Sequence, residues 1–441
     1  MKQFVVCLVL LSTIFLPALA DDYQISVTTV NVWIKATDAS GNPVTGLQTS
    51  DFEVYEDNKK MAPTCFEEVH FQMPTDQDLD RSSYSEQTVT ALKRLILFLD
   101  LYNTSENEFS QIRPDLDRFM RRVHLKGWQM MMAAYLNTGQ LGIVVPFTQS
   151  ISTVRKALDQ AKGNAQRDQR LARNDQDLIE LLAPLTIGKQ DTPDEPDSQG
   201  PGEATRVGNL SEADRTFYEM AVSNAYRQAA VFASNEKQAA EHAFAGLESF
   251  GEYYGKKLSS GEHTLILFVS GGINSDPGRR YFDLVNSYVD RTSDALDRAD
   301  FTLKKGLVVK ENNFDLDRLV NKTIGKLNRH NLTLYSINTR GLPSAGADIT
   351  KSEANFAALD VNFLKDYQDS LAQMAEETGG FTFQNSQNFK VGFDSVLKDI
   401  SHQYLICYRS PDHKKADQYH SIKVVTKKPG LKLRYRQGYV D

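Results

Sequence analysis

From Arg94 to Leu101 the chain reads RLILFLDL, an apolar run interrupted only where Asp100 closes it. A strand exposed on one face would alternate, so an unbroken run bounded by a loop predicts a strand buried on both faces. HTLILFVSGG and NLTLYSIN repeat the pattern, and WQMMMAAYL and QLGIVVPF predict two more strands around the NTGQ turn. Between them the period changes. Phe109, Ile112, Leu116 and Phe119 recur at helical spacing and predict a helix over 109–124. SISTVRKALDQA, an Ala-rich stretch from Ser211 to about Tyr254, FLKDYQDSLAQMAEETGG and FKVGFDSVLKDISHQ predict further helices, the third closed by Gly379. FTFQ predicts a short edge strand. Strands alternating with helices over 91–403 predict a mostly parallel, doubly wound α/β sheet with helices on both faces.

Both ends of the chain follow a different rule. Val30, Val32 and Ile34 alternate with Asn31, Trp33 and Lys35, the period of a half-buried strand. DFEVYEDNKK and TCFEEVHF continue the β pattern, as do YLICYRS, HSIKVVTKK and LKLRYRQGYV at the other end. The last is read as one strand with Lys432, Arg434 and Arg436 on a solvated face. Neither end is large enough to bury a core alone. Residues 21–75 and 404–441 together make roughly ninety residues, enough for one small β-sandwich into which the α/β region is inserted. Residues 186–210 hold prolines, glycines and acids and predict a mobile insertion.

Composition narrows the compartment and the partners. MKQFVVCLVLLSTIFLPALA places one lysine before an apolar core and small residues before Asp21, the order of a cleavable signal peptide over 1–20. Its apolar run falls short of the ~20 residues that span a bilayer. The remaining chain is expected to be secreted or periplasmic, with no membrane span after cleavage. A formal charge of −7 argues against a nucleic-acid partner. Cys65 and Cys407 then remain in a compartment that permits disulfides. Two readings stay open, separate buried thiols or a bridge between the two β-rich ends.

Two loops carry the candidate chemistry, DLYNTSE from Asp100 and SGGINSD from Ser270, because ligands of an open parallel sheet bind beyond the carboxyl ends of its strands. With the apolar strands and both β-rich ends, these resemble a von Willebrand factor type A domain. VNVWIKATDASGNPVTGLQTSDFEVYEDNKK and the closing YRSP…KKPGLKLRYRQGY are similar, more narrowly, to the exported acidobacterial type A-related family. The resemblance implies a metal-ion-dependent adhesion site holding Mg²⁺ with oxygens from three loops. Asp100 and Thr104 match that pattern, and Asn103 or Asp276 could replace missing ligands. Tyr102 stands where a serine is expected, AKGNAQRDQR supplies Gly163 and Asn164 but no threonine, and Gly271 stands where an aspartate is expected. The site is therefore expected to be degenerate.

No HExxH, nucleophile elbow or phosphate-binding glycine loop occurs. The reading is a non-catalytic protein-binding module, not an enzyme, with an extracytoplasmic protein partner that meets Tyr102, Asn103, Ser105, Ser270 and Asp276. Two alternatives stay open: Mg²⁺-dependent adhesion through Asp100 and Thr104, and an exported hydrolase whose catalytic groups meet only in three dimensions.

Overall fold

A computed structural model describes residues 29–80, 93–136, 138–183, 212–255, 264–292, 314–341, 354–411 and 418–440. The expected signal peptide and the insertion at 186–210 lie outside them. Six strands form the central sheet: β5 (Arg94–Asp100), β6 (Gln129–Tyr135), β7 (Leu141–Thr148), β8 (Thr264–Ser270), β9 (Leu332–Asn338) and β10 (Thr382–Phe383), in the order β10-β9-β8-β5-β6-β7. All neighbours are parallel except β6 and β7. This α/β arrangement is consistent with a type A-like fold. From β5 the chain moves first to β6 on one side, and only later to β8 on the other. Asp100 and Ser270 therefore end adjacent strands at the point where the winding reverses.

The apolar runs bury both faces, as their lack of alternation requires. Leu95, Leu97 and Leu99 share one core with helices α1 (Glu106–His124), α2 (Ile151–Gln160) and α8 (Phe389–Ile400). Ile96 and Phe98 face the other core, built with α4 (Glu212–Gly255), α6 (Asp317–Arg329) and α7 (Ala354–Glu377). At 44 residues, α4 is ~66 Å long, whereas a seven-residue strand spans about 23 Å. Its carboxyl half, from Ala240 to Phe250, covers the sheet. Its amino half extends past the carboxyl edge and packs Val222, Ala225, Tyr226 and Ala229 against α3 (Arg167–Leu182) and α5 (Arg279–Thr292). A helical layer thus stands over the edge that the sequence left open.

The two chain ends form two four-stranded antiparallel sheets. One has the order β13-β1-β11-β4, with β1 Thr29–Thr37, β4 Pro63–His70, β11 His402–Arg409 and β13 Lys432–Arg434. The other has the order β14-β12-β2-β3, with β2 Phe52–Glu56, β3 Lys59–Met61, β12 Tyr419–Thr426 and β14 Gly438–Val440. Val30, Val32 and Ile34 of the first share an apolar cluster with Val54, Ile422 and Val424 of the second. Cys65 and Cys407 are register partners on β4 and β11, with Cα atoms 4.9 Å apart and their sulfurs joined in a disulfide.

Residues 431–440 correct the sequence reading. LKLRYRQGYV is not one solvated strand but two short ones in different sheets. Arg434 turns to Asp399 of α8, and buried Arg436 donates to the carbonyls of Asn31 and Asn328. Lys35 joins this seam. Lys35 is 2% exposed, and its ammonium donates to the Gly379 carbonyl at 2.9 Å. Burial lowers its pKa to about 8 against the pull of Asp399. Tyr335 donates to the same Asp399 at 2.5 Å. A strand alternation locates faces but does not say which polar face meets water and which meets another domain.

Candidate functional site

Asp100 ends β5 at 1% exposure, and its carboxylate is filled from within. The Asn103 backbone N–H donates to Oδ1 at 3.1 Å, the Asn103 side-chain amide reaches both oxygens at 3.2 and 3.0 Å, and Ser270 donates to Oδ2 at 2.6 Å. Burial still outweighs these bonds and raises its pKa to about 6. The Ser270 hydroxyl also accepts from the Gly272 N–H at 2.9 Å, and Thr104 Oγ1 accepts from the Gly271 N–H at 3.1 Å. The two predicted loops do meet, and they meet through each other's hydrogen bonds.

The loop from Ala161 to Gln166 and the first turn of α3 close the arrangement. Asn164 donates its backbone N–H to Thr104 at 2.7 Å and its side-chain amide to the Tyr102 carbonyl at 3.0 Å. Gly163 permits that approach, since a Cβ there would lie 2.4 Å from the Ser105 carbonyl oxygen. Arg167 then enters the site at 4% exposure. It donates to the Asn103 carbonyl and, through two nitrogens, to Glu108 at 2.8 and 2.7 Å. Glu108 also accepts from Thr339 at 3.1 Å and from the Ser105 N–H at 3.0 Å, closing a capping box at the start of α1. The arginine bonds hold the Glu108 carboxyl below its usual range although burial opposes them.

A second polar chain runs outward beneath the helical layer. Arg170 donates to the Tyr102 hydroxyl at 2.9 Å and pairs with Glu236 of α4 at 3.4 Å. Tyr367 of α7 donates to Glu236 at 3.0 Å, and Arg340 lies over its ring at 4.3 Å. The Tyr102 ring packs on Tyr135 with centroids 5.2 Å apart.

This geometry revises the expected contact face. Asn103, Thr104, Ser105 and Ser270 are buried, Ser105 caps α1, and Tyr102 is half-buried under Arg170. None of them offers the exposed surface that a partner would dock on. Asp276 is half-exposed and accepts from Arg279 at 3.2 Å, an ion pair outside the Asp100 loop.

Nor does the donor set suit a divalent cation. Mg²⁺ needs several oxygens with open lone pairs, together with water. Both oxygens of Asp100 are occupied by internal donors. At the third-loop position, a Cβ on residue 271 would fall 2.1 Å from the Asn103 oxygen and 2.6 Å from Arg167 Nη1. A carboxylate there has no space, and the nearest charge is already positive. Among the described residues, no three His, Cys, Asp or Glu side chains are grouped to hold a metal. The residues do not fit Mg²⁺.

Arg167, Glu108, Arg170 and Glu236 are the residues that sequence reasoning passed over. One signal was present. Arg167 and Arg170 both fall in the first turn of α3, where a positive charge opposes the helix dipole by roughly 0.3–1 kcal/mol. Residues set against local preference in this way are candidates for a role imposed from elsewhere in the fold.

No family model matches the sequence, and no curated protein matches it. Solved structures do match. An aerotolerance-related membrane protein from Bacteroides fragilis, in a form with multiple mutations to serine, is 9% identical. The match covers 70% of this chain and 98% of that one, with a TM-score of 0.28. The conserved hypothetical protein BatB from Bacteroides thetaiotaomicron is also 9% identical over the same shares, with a TM-score of 0.22. At that overlap neither likeness says anything about this chain's chemistry. No helix among the described residues is long and apolar enough to cross a membrane.

Proposed function

We propose that this chain is an exported, non-catalytic protein-binding module of the type A-related kind, with residues 91–403 inserted into one small β-sandwich made by 21–75 and 404–441. The observation that carries this reading is the state of the switch-point crevice. In α/β sheets that crevice ordinarily receives a ligand, and here Asp100, Asn103, Ser270, Glu108 and Arg167 bond to one another while Thr104 accepts from the Gly271 N–H. Such a crevice holds a scaffold rigid. The disulfide supports an oxidising compartment outside the cytoplasm.

With the edge covered, the contact face moves to the helical layer above it. Phe217 and Met220, exposed by 54 and 57%, stand one turn apart on the amino half of α4. Apolar side chains grouped on a surface mark contact sites more often than single ones do. A photo-crosslinker at position 220, introduced in the native producing cell, is expected to trap one protein partner that a crosslinker at Lys398 does not trap. Phe217→Glu should abolish the adduct without lowering the melting temperature. Equal trapping at both positions, or an adduct indifferent to Phe217→Glu, refutes this face.

A further inference from the structure

We propose that the Arg167 guanidinium is a built-in substitute for the metal ion at the carboxyl edge, a fixed internal cation that joins the edge loops and frees them from any dependence on divalent cations. A metal at such an edge would gather oxygens from separate loops around one positive charge. Arg167 does this with nitrogen donors. It binds the carbonyl of Asn103 in the first loop and both oxygens of Glu108 at the start of α1. Through Glu108 it reaches Thr339, at the exit of β9. Its own loop is tied to the first by Asn164. A guanidinium suits this task because its donors form a rigid fork that matches a carboxylate, and because it stays charged at any physiological pH.

Three features separate this from an ordinary ion pair. Arg167 and Glu108 expose only 5 and 15% of their side chains, so water and salt do not screen them as they screen a surface pair. A Cβ on residue 271 would stand 2.1 Å from the Asn103 carbonyl oxygen and 2.6 Å from Nη1, so the first-loop backbone and the guanidinium it holds together exclude a third-loop carboxylate. Glycine at 271 therefore leaves room for both the Asn103 carbonyl and the guanidinium bonded to it. Finally, Arg167 begins α3, which packs in one core with α4 and α5. Holding its guanidinium holds the helical layer over the sheet. The inference does not rest on the protein-binding reading and stands or falls without it.

The test is thermal unfolding of the full chain and of Arg167→Lys, Arg167→Met and Arg167→Ala, each with millimolar Mg²⁺, Mn²⁺ or Ca²⁺ or with chelator. Wild type is expected to melt at one temperature in all of these. Stability should fall in the order wild type, Lys, Met, because lysine keeps the charge without the fork and methionine keeps only the packing. Millimolar guanidinium, far below denaturing concentration, should restore part of the loss in Arg167→Ala but not in Arg167→Met, where the space is filled. A metal-dependent rise in the wild-type midpoint overturns the proposal, since the site would then hold a real ion. Met as stable as Lys overturns it too, because packing alone would then explain the residue. An unfolded Arg167→Ala leaves both of these decisive measurements in place.

Discussion

The cluster at the carboxyl edge and the cluster at the seam both set arginine against a buried carboxylate, with opposite stoichiometry and from opposite kinds of sequence. At the edge one cation, Arg167, lies close to two acids, bonding Glu108 and drawing on Asp100 through space. At the seam one acid, Asp399, serves two cations, bonding Arg434 and attracting Lys35. The edge is assembled from turns and helix starts within the α/β region. The seam is assembled from β1 and β13, which lie at the two ends of the chain and pair through Lys35 and Arg434. Loss of the shared charge is therefore the damaging event in either place, because it takes the main counter-ion from two like charges at once. The difference predicts which perturbations disturb each region.

The largest effect is expected from the disulfide, which serves the β-rich ends and not the edge. Cys65 and Cys407 close a separation of 342 residues. Cross-links typically contribute about 2–4 kcal/mol, more for long loops in the chain-entropy model. Cys65→Ser with Cys407→Ser should lower stability by about 4 kcal/mol in denaturant melts. If seam and edge unfold together, intrinsic fluorescence and far-UV circular dichroism will shift by the same amount. Two separated transitions would show that the ends open first.

Next comes Asp399→Ala, expected to cost about 3 kcal/mol because Lys35 and Arg434 lose their shared counter-ion. The figure lies at the low end of the usual range because Arg434 keeps 35% of its side chain in water. Adding Lys35→Met to that variant should recover part of the loss. A double variant no more stable than Asp399→Ala would mean the seam is held by packing and not by charge.

Lys35 also gives the seam a pH signature. Its folded pKa of about 8 lies below the 10.5 of the exposed amine. Between those values the unfolded chain binds more protons, so this group makes stability rise with pH. Below pH 8 the full cost of burying the ammonium is present, and it disappears as pH rises towards 10.5. Lys35→Met should remove that slope, worth about 3 kcal/mol across the window. Identical pH profiles for wild type and variant would contradict the burial argument.

How much of this was legible in the sequence differed between the regions. RLILFLDL and HTLILFVSGG could only be strands buried on both faces, and every second side chain does belong to the opposite core. The meeting of Asp100 with Ser270 followed from strand ends at a switch point. Arg167 did not, because one arginine in AKGNAQRDQR carries no mark of where its guanidinium will point. Only its poor fit to a helix start hinted at a role. The helical layer was invisible for a related reason. A 44-residue helix was readable from its alanines, but its overhang depends on where it docks against the sheet, and periodicity does not encode that. Lys432, Arg434 and Arg436 alternate as a solvated row should, yet Arg436 is buried, since alternation cannot distinguish water from a neighbouring domain.

Tyr102 offers the finest discrimination between the edge as scaffold and the edge as contact face. Its phenol accepts from Arg170 at 2.9 Å while its ring packs on Tyr135. Tyr102→Phe keeps the ring and deletes one hydrogen bond to a charged donor that retains Glu236 as a partner. The expected cost is about 1 kcal/mol of stability. Binding of a crosslinked partner should be unchanged, because the hydroxyl faces the protein's own arginine. A tenfold loss of partner affinity at unaltered stability would place the contact at the sheet edge after all, and would make the helical layer a cover that moves aside to admit it.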